Sequence, residues 1–189
     1  MNPQHIALLE EFGTHVTSHS RRTLLAHLQG THNLLVEWGN PSDVCVAGLF
    51  HSVYGTHVFE KRCADLSMRG HIRGVIGSDA ERLVHLFCIT DRRCFYDHLG
   101  ESRFQLRDIV RDCDLELERD SLAALIEIEV ANILEPLAYR SKKKARCTAQ
   151  WYGEAFARAR DYISPLAAIA AERRFKAVLS APETVNEAL

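Results

Sequence analysis

Ten histidines stand out in a chain of 189 residues whose make-up is otherwise ordinary. Imidazole is the side chain that most readily gains or loses a proton near neutral pH, so the first question is which of these rings lie where water is excluded. In the stretch 24–38, Leu24, Leu28, Thr31, Leu35 and Trp38 recur at three- and four-residue spacing, and His27 lies at the edge of that stripe. His32 falls about 140° around the same helix, so one helix cannot readily offer both rings to one point. In the stretch 44–54, Val44, Ala47, Gly48 and His51 line up, with Tyr54 next, and the small Gly48 lets something approach one turn before the ring. From Leu122 onward, Glu129 and Asn132 interrupt a face made by Leu122, Leu125, Ile126 and Ile133, while Glu127 and Glu135 fall toward the outside. Burying a polar group without a partner costs about 1–3 kcal/mol. A single histidine on an apolar face is most often a hydrogen-bonded core residue. Three such faces in one small chain favour a shared polar site, with His51 at its centre.

The elements that must position these residues are helical. Pro3 opens a first helix that stops before Gly13. Ser20 caps a helix from Arg21 to Trp38 ended by Gly39, and Ser42 caps an all-apolar helix from Asp43 to Tyr54 ended by Gly55. A short helix spans 67–75. The capping-box sequence Ser78-Asp79-Ala80-Glu81 starts another that runs to Ile89, and a further short helix covers 91–99. Between Phe104 and Glu118 the period changes to alternation, which predicts a small exposed β-hairpin. Ser121 caps a strong helix from Leu122 to Glu135, stopped by Pro136, and 142–163 and 165–179 are helical. This is one all-α domain over 1–180, with the hairpin near 104–118 and a loose tail over 181–189.

The bulk properties narrow the partners. A net charge of -2 gives no field that would draw the chain to nucleic acid or an anionic membrane. The basic run from Arg140 to Arg146, followed by Trp151-Tyr152, is accordingly read as a solvated helix start. No apolar stretch approaches the roughly 20 residues that span a bilayer. The opening residues lack the pattern of an export signal, so the expected location is cytoplasmic and the six cysteines are expected as reduced thiols. The apolar residues from Trp151 to Phe156 suit either the core or a homodimer surface.

The segments Leu24-Leu25-Ala26-His27-Leu28, Ala47-Gly48-Leu49-Phe50-His51-Ser52 and Ile126-Glu127-Ile128-Glu129-Val130-Ala131-Asn132 resemble the HD-domain superfamily over about residues 18–136. The stretch from Gly48 to Thr56 is also similar to an uncharacterised HD-like bacterial family. The resemblance implies an all-helical bundle in which an early histidine, a central His-Asp pair and a late aspartate hold a divalent metal. Here Ser52 stands where the paired aspartate would be, and Asn132 where the last one would be. Two anionic ligands become neutral, which weakens a site for a hard cation. Glu129 could restore one carboxylate. His57, His71, His85 and His98 could add ligands, as in HD-like oxygenases that hold two irons, with His71 the one that aligns.

Three kinds of chemistry follow. In the first, iron or manganese is held by His27, His51, Glu129 and His71, and it activates water or dioxygen against a small metabolite held by Arg21, Arg22, Arg73 and Asn132. That is hydrolase or oxygenase chemistry. In the second, no metal binds and His51 acts as acid or base, oriented by Ser52, Tyr54 or Glu129. A Ser52–His51 nucleophile pair is disfavoured, since helix neighbours point about 100° apart. In the third, the bundle only binds a small molecule or a partner helix.

Overall fold

A computed structural model describes residues 1–55, 62–97, 99–100 and 104–182. Its elements are α1 (Pro3–Glu11), β1 (Ser18–His19), β2 (Arg22–Thr23), α2 (Leu24–Glu37), α3 (Ser42–Phe50), α4 (Arg69–Ile76), α5 (Ser78–Ile89), β3 (Phe104–Asp108), β4 (Cys113–Leu117), α6 (Arg119–Leu134), α7 (Lys142–Arg158) and α8 (Pro165–Ser180). The fold is thus mostly α-helical with a small β-hairpin, as the periodicity predicts. Short 3-10 turns cover Arg92–Tyr96 and Glu135–Tyr139. Among the described residues no helix is long and apolar enough to cross a membrane. All six cysteines are free thiols. The predicted tail lies almost wholly outside the described residues, as do His57 and His98.

Local chemistry explains most of the boundaries. Asn2, Thr23, Ser141 and Ser164 each accept a backbone N–H at the start of a helix, meeting one of the donors a helix leaves unpaired there. Thr23, rather than Ser20, starts α2. Ser20 and Arg21 instead form the two-residue turn of the β1–β2 hairpin, both in the left-handed region (φ 46° and 67°), which matches the twist of paired strands. Ser78 and Glu81 form no capping box, since no side chain caps α5. Instead Glu81 is buried and takes Tyr54 and Arg69.

The helix α6 lies at the centre, packed against α2, α3, α5 and α8. Beyond its first two residues, every residue is buried or half-buried, so there is no outward face for Glu127 and Glu135. Glu127 is 3% exposed and accepts from Asn40 Nδ2 (2.9 Å), Ser164 N (3.1 Å) and Ser164 Oγ (2.6 Å), tying the α2–α3 loop to the start of α8. The β3–β4 hairpin is less exposed than the alternation suggests. Phe104, Leu106 and Asp108 face inward and are buried, and Thr90 bridges to Asp108. Two glycines set the closest approaches. A Cβ on Gly48 would run into Leu35, and a Cβ on Gly30 would run into the Glu135 carboxylate. The first lets α2 and α3 touch. The second leaves room for an acid at His27.

Candidate acid-base site

His51 is the residue that ends α3. The helix stops at Phe50, earlier than the apolar run predicts, and His51 follows at φ -54°, ψ -20°. Its Nδ1–H donates to the Gly48 carbonyl (2.7 Å), one of the oxygens that the last turn of a helix leaves without a partner. A carbonyl only accepts, so the hydrogen sits on Nδ1 and the other nitrogen of the neutral ring carries a bare lone pair. That atom, Nε2, is buried and has no hydrogen-bond partner. Burial, and then the neighbouring His27, hold the proton affinity of His51 well below the usual histidine range, against the pull of the Gly48 carbonyl. Phe87 meets the ring edge to face, 5.4 Å between centroids.

His27 comes from α2 and lies 5.3 Å from His51, centroid to centroid. Its Nδ1 contacts Glu135 Oε2 (2.6 Å) and its Nε2 contacts Asn132 Oδ1 (3.1 Å). The orientation of that amide is fixed by its other end. Asn132 Nδ2 donates to Glu129 Oε2 (2.9 Å), and a carboxylate can only accept. Both nitrogens of His27 therefore face acceptors, and the bonding is complete with hydrogen on each. Glu129 also accepts from Arg92 Nη1 (2.8 Å) and Tyr152 OH (2.9 Å), while Glu135 pairs with Arg22, whose guanidinium lies over the Tyr139 ring. Burial works against the charge on Glu135, but the bonds from His27 and Arg22 outweigh it and lower its proton affinity. The β1–β2 hairpin folds His19 back so that its ring stacks on His27 at 4.3 Å, and burial followed by the charge of His27 brings its pKa down to about 4.

The sequence-predicted residues separate into two groups. His27, His51, Glu129, Asn132 and Arg22 belong to one connected network, with Ser52 buried beside His51. Tyr54 does not orient His51. Its hydroxyl donates to Glu81 (3.1 Å), within a separate cluster completed by Arg69. His71 and Arg73 are exposed on α4, whose helix contacts run to α1 and α5, and no described contact joins them to His51. Arg21 is exposed on the hairpin turn. It lines a surface cleft of about 380 Å³ together with Ser20, Tyr139, Arg140, Ser141 and Lys144. Within 151–156 the alternatives divide: Phe156 stacks into the core on Phe175, Tyr152 turns to Glu129, and Trp151 is half exposed. His85 is half-buried on α5.

The family model for a domain of unknown function (DUF6817) matches residues 8–92. No curated protein and no solved structure matches the chain. The matched span carries His19, His27, His51 and Arg92 and stops short of α6, so the carboxylates that complete the network come from outside it.

The donor set can be tested against a divalent ion. Among the described residues no three of His, Cys, Asp and Glu are grouped to hold one. His27 spends both nitrogens on Glu135 and Asn132, and Glu129 is held by a guanidinium, which an adjacent cation would have to displace. His51 Nε2 alone offers an unengaged lone pair. As arranged, these residues do not fit the ion that the resemblance implies.

Sequence reasoning missed His19, Arg92, Tyr152 and Glu135. For Glu135 a signal existed: Glu129, Asn132 and Glu135 follow one another at three-residue spacing along α6 and its extension. His19 is placed by a left-handed turn of Ser and Arg, residue types that do not announce it. Arg92 follows the last turn of α5, where periodicity has ended.

Proposed function

We propose that this chain is a divergent HD-type protein in which the former metal position works without metal, as an acid-base centre for a small molecule with His51 as the proton acceptor. One observation carries the reading: a buried imidazole whose hydrogen is pinned on Nδ1 and whose Nε2 lone pair has no partner. Such an atom can take a proton from a bound molecule. The protonated ring would then lie in a buried place beside the doubly donating His27, an arrangement that favours passing the proton on rather than keeping it. His27, Asn132 and Glu129 act as positioning residues, since each is tied to the next by a hydrogen bond.

The test is turnover by metal-stripped protein. Wild type and His51→Gln are dialysed against chelator and incubated with a cell metabolite extract, followed by mass spectrometry. The expected result is a metabolite converted by wild type and not by the variant, with no gain on adding manganese or iron. Conversion that appears only with added metal would restore the metal-dependent hydrolase or oxygenase reading. Conversion by His51→Gln would remove His51 from the chemistry.

A further inference from the structure

The basic run that opens α7 has no part in the chemistry at His51, yet it meets the hairpin that carries His19. A cleft of about 380 Å³ lies between them. Ser20 and Arg21 line it from the turn of the β1–β2 hairpin, and Tyr139, Arg140, Ser141 and Lys144 line it from the approach to α7 and its first turn. No acidic residue is in that lining. Among the described residues Arg21, Arg140 and Lys144 take part in no ion pair, and Arg140 gives its Nη1 to a neutral acceptor, the Thr148 hydroxyl (2.8 Å). Glu135, at the start of the same 3-10 turn as Tyr139, has one carboxylate oxygen on Arg22 and the other on His27. Gathering like charges at one cleft is unfavourable unless an anion joins them.

The residue types select the anion. Two guanidinium groups each present a flat fork of N–H donors, and the lysine adds a point charge. A phosphate monoester offers three free oxygens and close to two negative charges to such a set, whereas a carboxylate offers two oxygens and one charge. Tyr139, 41% exposed and covered on one face by the Arg22 guanidinium at 3.8 Å, gives the organic part of the ligand a wall. The cleft also connects inward by two routes. Ser20 and Arg21 form the turn that folds His19 back onto His27, 4.3 Å between ring centroids. Tyr139 carries Arg22, which pairs with Glu135, the acid at His27. An anion bridging Arg21 to Arg140 and Lys144 would therefore tie the hairpin to the start of α7.

We propose that this cleft binds the phosphate of a small phosphomonoester through Arg21, Arg140 and Lys144, and that the bound phosphate latches the β1–β2 hairpin, with His19, over His27. The site is separate from His51 and does not depend on His51 acting as a base.

Glycerol 3-phosphate is the probe, titrated by calorimetry into the full chain at constant ionic strength and about pH 8, where a phosphate monoester is close to fully dianionic. Acetate is expected to bind at least about tenfold more weakly. Arg21→Gln and Lys144→Gln are each expected to weaken the probe at least about tenfold, the worth of one charge-assisted hydrogen bond. Their Tm without ligand should match that of wild type, because both side chains are exposed and have no ion pair to lose. Lys143→Gln is the control: it removes an equal charge from the same run at a residue outside the lining, and should weaken the probe by about twofold or less. With the probe bound, the backbone amides from Ser18 to Thr23 should exchange their hydrogens at least about threefold more slowly. Acetate binding as tightly as the probe, or wild-type binding in Arg21→Gln or Lys144→Gln, overturns the site. A loss in Lys143→Gln equal to that in Lys144→Gln means a diffuse field in place of a cleft and overturns it too. A single-stranded RNA decamer that binds more tightly than the probe at the same salt assigns the basic face to a nucleic-acid backbone and overturns the small ligand. Unchanged hydrogen exchange with the probe bound overturns the latch.

Discussion

Glu81 and Glu129 are each buried, each accept from a tyrosine hydroxyl and each pair with an arginine. Tyr54 and Arg69 serve Glu81; Tyr152 and Arg92 serve Glu129. The Glu81 group is closed. Arg69 binds both carboxylate oxygens, at 2.6 and 2.9 Å, its side chain is 29% exposed, and none of the three side chains leaves a buried polar atom unpaired. The Glu129 group is open. It continues through Asn132 to His27, Glu135 and Arg22, and the ring of His51, with its unsatisfied Nε2, lies edge-on to His27. The same three residue types can therefore brace a fold or furnish a site. What separates them is whether the polar atoms around them are used up.

Removing the acid should separate the two groups most. Glu129→Ala takes the shared acceptor from Arg92, whose side chain is only 11% exposed, and from Asn132 and Tyr152, and the expected loss is about 3–5 kcal/mol, read from urea unfolding. Glu81→Ala strands an arginine that can turn to solvent, so a loss of about 1–3 kcal/mol is expected. Equal losses would erase the distinction drawn from burial. Next in size is Gly30→Ala. The added methyl collides with the Glu135 side chain, with an expected cost of about 1–3 kcal/mol and a displaced His27 ring visible in its NMR signals, while the Glu81 group is untouched. Tyr152→Phe should cost about 1 kcal/mol, the ordinary worth of a buried hydrogen bond, and Tyr54→Phe a similar amount. Their agreement would show that the two hydroxyls brace their acids alike.

The last contrast lies in pH. In the folded protein the proton affinity of His19 is lowered to about 4 from the ordinary 6.5, so between these values the unfolded chain binds the proton and the folded one does not. Stability contributed by neutral His19 is complete above pH 6.5 and is lost as pH falls toward 4. Tm measured across this window should decline less steeply in His19→Gln than in wild type. A matching slope in both would mean that burial and the neighbouring His27 do not hold His19 off its proton.

Much of the frame was legible in the chain before folding. Spacing alone placed His27, His51, Glu129 and Asn132 on dry faces, and the three helices do bring them into one network. The reading failed where local signals end. It placed Glu127 and Glu135 outside because an apolar stripe implies an opposite, wet face, whereas a central helix such as α6 has none. It gave Tyr54 to His51 on proximity in sequence, but α3 stops at Phe50 and the chain beyond it turns the tyrosine toward α5. His19 and Arg92 enter through a tight hairpin turn and a 3-10 turn, whose directions depend on tertiary contacts and not on periodicity.

The bond from His51 to the Gly48 carbonyl also bears on how this position can change over generations. The ring that would accept a proton is also the group that finishes α3, so substitution there costs the helix end as well as any reaction. A lineage that abandoned the chemistry would still be held to histidine by the fold. Ser52 and Asn132, which stand where the resemblance would have aspartates, make no such bond to a helix-end carbonyl among the described contacts.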